Sequence, residues 1–89
     1  MKQKRESFQI RHDILKAIQM GKTKPTHIIY KANLSNQMLV EYMKELISNG
    51  FVEEKKNPKG RTYELTDKGR DFLREYKLIQ GFMEAYGLS

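Results

Sequence analysis

Near the start of the chain, apolar side chains fall at Phe8, Ile10, Ile14, Leu15, Ala17 and Ile18. Intervals of three and four residues place such groups on one face of a helix. Ser7 stands before this run as an N-cap, and Gly21 ends it. The Lys22-Thr23-Lys24 link has room for one extended residue pair. Pro25 then opens a second, short helix over 26–32, because a missing N–H costs nothing in a first turn. Asn33-Leu34 makes a turn, and Ser35 caps a third helix over 36–49. Met38, Leu39, Tyr42, Met43, Leu46 and Ile47 form the apolar face of that helix, and Asn49-Gly50 gives it a left-handed stop signal.

After Gly50 the pattern changes. Residues 51–56 and 61–65 read as two strands around the turn sequence Asn57-Pro58-Lys59-Gly60, which makes a β-hairpin. Thr66 caps a last helix over 67–86, with Asp67 favourably placed against the helix dipole. A short helix, a tight turn and a longer helix form a helix-turn-helix, and the hairpin directly after it is a wing. The order by itself suits several small α+β folds.

Composition narrows the partners. A chain of 89 residues suits one compact body that buries only a modest share of its surface. With no Cys it has neither disulfides nor metal–thiolate sites, which leaves oligomerisation as a common route to more burial and points to a cytoplasmic setting. No segment reaches the ~20 apolar residues of a membrane span. The charged N-terminus has no apolar run behind it, so no signal peptide is expected. Net charge is +6, with seven Lys/Arg against two acids in residues 1–24 and a second cluster at 55–61. A localised basic surface points to nucleic acid, although a solvated face gives the same count. Enzymatic chemistry is not expected. His12 and His27 are surface or edge residues with no acid partner evident in the sequence, and no phosphate loop, nucleophile elbow, metal spacing or cofactor motif accompanies them.

Particular residues narrow the fold. Ile29-Tyr30-Lys31-Ala32-Asn33-Leu34-Ser35, followed by Leu46-Ile47-Ser48-Asn49-Gly50-Phe51-Val52, resembles the helix-turn-helix of archaeal winged-helix regulators. Tyr63-Glu64-Leu65-Thr66-Asp67-Lys68-Gly69-Arg70-Asp71-Phe72-Leu73 resembles their second wing strand entering the last helix. The nearest resemblance is to small archaeal winged-helix proteins with a C-terminal antiparallel coiled coil, some of them chromatin proteins, and it covers residues 14–86. It implies a mainly α (α+β) winged helix-turn-helix with a long C-terminal dimerisation helix. Residues 1–66 are then the DNA-binding head, with the wing at 51–65, and 67–89 the coiled-coil helix. The expected function is double-stranded DNA binding by a homodimer, as a transcription regulator or a nucleoid-associated chromatin protein.

On that reading the recognition helix presents Ser35, Asn36, Gln37, Val40, Glu41 and Lys44 to the major groove. Amides pair with adenine, and lysine reaches guanine or phosphate. Glu41 and Glu45 against Lys44 leave this helix without net positive charge, so it is a weak anchor on a polyanion. Glu41 suits a cytosine, or pairs with Lys44 or Lys31. Lys55, Lys56, Lys59 and Arg61 surround the wing turn and suit phosphates, or else simply guard a hairpin edge. Lys22 and Lys24 are further phosphate candidates, and Lys2, Lys4 and Arg5 a basic arm. In the last helix Phe72, Tyr76, Ile79, Met83 and Tyr86 follow four-three-four-three spacing, a heptad seam that Leu73 and Phe82 widen. The far half would leave an apolar stripe bare in a monomer, which marks a dimer interface. Gly81 inside this helix suits the close approach of a partner helix. The rival reading is a winged-helix docking module that binds protein within the transcription machinery.

Overall fold

The computed structural model describes residues 6–88 in the order α1 (Ser7–Gln19), α2 (Pro25–Ala32), α3 (Asn36–Ser48), β1 (Val52–Asn57), β2 (Gly60–Leu65) and α4 (Asp67–Ala85). The three-helix head and its hairpin follow the expected order, and the chain is mainly helical with one small antiparallel sheet. Ile14, Leu15, Ile28, Leu46 and Val52 are fully buried at its centre. Each element therefore gives its apolar face to one shared core, the arrangement that lets so short a chain fold.

The stops are local chemistry. Asn33 adopts a left-handed φ of 56°, which lets the chain reverse sharply between α2 and α3. Ser35 Oγ accepts the Met38 N–H at 3.1 Å, and Thr66 Oγ1 accepts the Gly69 N–H at 3.1 Å, as expected of both caps. Ser7 is a correction. It is the first residue of α1, Glu6 is the N-cap with no side-chain bond, and the Ser7 hydroxyl accepts from the Tyr42 hydroxyl at 3.1 Å. Phe8 also departs from expectation: it is 49% exposed and lies over Phe72 and Tyr76 of α4 rather than in the core.

In the hairpin, Asn57 pairs with Gly60 and Val52 with Leu65. Asn57 Oδ1 accepts the Lys59 N–H at 3.0 Å, closing the turn around Pro58 and Lys59. The wing is tied to the body where the Tyr63 N–H donates to the Thr23 carbonyl at 2.9 Å, the extended pair expected of the α1–α2 link. The core does not stop at residue 66: α4 contributes the buried Gly69 and Leu73, so its first turns belong to the head.

Gly69 occupies the tightest point. A side chain there would run into the Phe51 carbonyl oxygen, which also accepts the Thr66 N–H at 3.1 Å. The Thr66 hydroxyl in turn donates to the Gly50 carbonyl at 2.6 Å. This junction fixes the direction in which α4 leaves the body.

Candidate nucleic-acid interface

α3 is held by its inner face. Leu39, Met43 and Leu46 are buried, which turns Asn36, Gln37, Val40, Glu41 and Lys44 to solvent. Asn36, Val40, Lys44 and Ile47 follow one ridge along the helix and line an open groove of about 450 Å³. Across that groove stand Arg61, Glu54 and Tyr63 of the wing, with Pro25 at one end. On the other side of the ridge the Gln37 amide donates to Glu41 Oε1 at 3.3 Å, so Glu41 is bonded within its own helix rather than to Lys44 or Lys31.

Glu45 is not a free charge facing outward. Arg11 of α1 reaches it with two hydrogen bonds, Nη2 donating to Oε1 at 2.9 Å and Nε to Oε2. The bonds to Arg11 hold the Glu45 carboxyl below the ordinary carboxylate range despite partial burial. The guanidinium also lies 5.5 Å from the centre of the Tyr42 ring. This clamp binds α1 to the recognition helix. It joins residues 34 positions apart, so no local spacing announces it.

The wing cations divide. Lys55 lies 3.8 Å from Glu53, and Arg61 lies 3.2 Å from Glu54 on the neighbouring strand. The side chain of Tyr63, and after it the charge of Glu54, raise the pKa of Arg61. Lys56 and Lys59, nearer the tip, are exposed and enter no ion pair among the described residues. Lys22 and Lys24 are likewise exposed beside α2. Lys2, Lys4 and Arg5 lie outside the described residues.

The heptad seam of α4 divides too. Its first positions are used by the same chain. Phe72 meets Phe8 and Phe51 with ring centres 5.6 and 5.7 Å apart. Tyr76 stacks on His12 at 3.8 Å, and its hydroxyl donates to Gln9 Oε1 at 2.8 Å. His12 is thus part of the α1–α4 seam, with Asp13 Oδ1 3.2 Å from its Nδ1, an acid neighbour not anticipated from sequence. Farther out, Ile79, Phe82, Met83 and Tyr86 are exposed, from 41% for Met83 to 73% for Tyr86. Leu78 and Leu88 extend this bare apolar surface, and both were missed because they fall off the heptad. A β-carbon at Gly81 would meet nothing within 4 Å.

The fold can be placed among known proteins. A family model described as winged helix-turn-helix matches residues 4–84. The chain belongs to the winged helix-turn-helix family. An uncharacterized protein of Methanocaldococcus jannaschii is 36% identical over 78 residues, covering 86% of this chain and 76% of that one. The winged helix superposes on Sso10a-2, a DNA-binding protein from Sulfolobus solfataricus, with a TM-score of 0.72 and 24% identity over 93% of this chain and 90% of that one. It superposes on the reduced transcriptional regulator YodB of B. subtilis with a TM-score of 0.76 and 24% identity, over 88% and 85% of the two chains. At these identities the likeness to the solved structures is one of fold. Among the described residues no helix is long and apolar enough to cross a membrane.

Proposed function

We propose that this winged-helix protein binds double-stranded DNA as a homodimer and acts as a transcription regulator or a chromatin architectural protein of the nucleoid. The observation that carries this reading is the exposed Asn36–Val40–Lys44 ridge beside a wing whose tip lysines, Lys56 and Lys59, are uncommitted. The ridge enters the major groove, with Ser35 at its N-terminus, while Lys22, Lys24, Lys56 and Lys59 neutralise phosphates. Gln37 and Glu41 act as a hydrogen-bonded pair at the rim. The DNA-binding and regulatory roles printed for Sso10a-2 and YodB support the same reading.

Dimerisation rests on the outer half of α4. Ile79, Phe82, Met83 and Tyr86 form an exposed stripe that a second copy of the helix covers in an antiparallel pair. Phe72 and Tyr76 serve there as the base of the arm, since their rings already pack on α1.

A second reading, a docking module for another protein, draws on the lack of net positive charge on α3 and on the pairing of Lys55 and Arg61 with glutamates. Anisotropy titrations of a labelled duplex separate the two. Under the DNA reading, Lys56→Gln with Lys59→Gln weakens binding several-fold at fixed salt and leaves the fold intact, because both side chains are exposed. Unchanged affinity removes the wing tip from the interface.

A further inference from the structure

Val40 has no structural reason to be valine. It lies in the second turn of α3, 62% exposed, beside the buried Leu39. A β-branched side chain mostly exposed on a helix loses rotamer freedom and helix propensity while burying little area. Its neighbours one turn away on the same ridge are polar: Asn36 before it and Lys44 after it. Gln37 and Glu41, beside it, are hydrogen-bonded to each other at 3.3 Å. Val40 is therefore an apolar knob between an amide and an ammonium group, with Ile47 farther along the ridge, and all four line the groove that the wing faces.

In the major groove the apolar feature of base edges is the 5-methyl group of thymine. The amide of Asn36 matches the N7 acceptor and N6 donor of adenine. One helical turn advances about 5.4 Å and one base-pair step about 3.4 Å, so side chains a turn apart meet base pairs one or two steps apart. We infer that Val40 is a specificity-determining residue that packs on a thymine methyl group, with Asn36 on an adenine one or two base pairs away, so that the preferred duplex carries closely spaced A·T pairs under α3. This inference rests on the DNA-binding reading and adds the base preference to it.

The test begins with selection of bound duplexes from a random library by the wild-type chain. The expected product has a fixed thymine one or two base pairs from a fixed adenine. Replacing that thymine by deoxyuridine, which removes only the methyl group, then weakens wild-type binding about threefold to tenfold. Val40→Ala binds the thymine and deoxyuridine duplexes equally, near the wild-type affinity for the deoxyuridine form. Val40 is exposed, so circular dichroism of the variant matches wild type. Duplexes that bind without any enriched thymine overturn the inference and leave DNA binding standing. So does equal wild-type affinity for the two bases, or a thymine preference that persists in Val40→Ala. No duplex binding at all overturns both readings together.

Discussion

Arg11 and Gly69 were not singled out in the sequence, and Glu45 stood there only as an unfavourable charge, yet each fixes the geometry of the head. The bidentate Arg11–Glu45 clamp joins α1 to α3 at a site where both side chains stay about one-third exposed or more, so its contribution is screened by water. Arg11 lowers the Glu45 pKa, so the folded protein holds that proton less tightly than the unfolded chain does. The clamp's stabilisation is therefore present above the ordinary carboxylate range and is lost as pH falls through the folded value. Glu45→Gln should melt below wild type at neutral pH, and the gap should close as pH falls below the ordinary carboxylate range in thermal denaturation followed by circular dichroism. A gap that stays constant with pH contradicts the assignment. Gly69→Ala pushes a methyl group against the Phe51 carbonyl and should cost about 1–3 kcal/mol, seen as a lower urea midpoint.

At the scale of elements, much was legible in advance because the signals are local. The caps Ser35 and Thr66, the left-handed stops, the turn at Asn57–Gly60 and the apolar faces all lie within a few residues of what they specify. Ser7 failed as a cap because Glu6 precedes it as the N-cap and its hydroxyl meets Tyr42 from α3 instead. Of the wing's charges, only their clustering was legible. Which lysines stay free depends on hairpin register, where Arg61 lies diagonally opposite Glu54 and pairs with it. The recognition helix depends on its start. Ser35→Ala should destabilise the protein by ~1 kcal/mol in urea unfolding, since the Met38 N–H loses its acceptor. An unchanged midpoint means that water replaces the cap at no cost.

At the scale of the whole molecule, a head of three helices and a wing carries an arm it cannot cover. α4 has 19 residues, a length of ~28 Å, and only its first half packs on the body. The heptad spacing was visible in the sequence. So was the bare far half; the partners of its first positions were not, because Phe8, Phe51 and His12 come from distant segments to meet Phe72 and Tyr76. Ile79→Asp with Met83→Asp should convert the proposed dimer to monomers in sedimentation equilibrium while leaving helix content unchanged. An unaltered mass for the double variant places any interface elsewhere. The central claim, that the ridge and wing meet the DNA backbone and bases, is tested most directly by wild-type affinity for a random-sequence duplex across a salt series. The account predicts a steep linear fall of log affinity with log salt, with a slope of about −0.9 for each phosphate neutralised and several phosphates per dimer. No binding at low salt, or an affinity that salt does not change, would contradict it and favour the protein-docking reading.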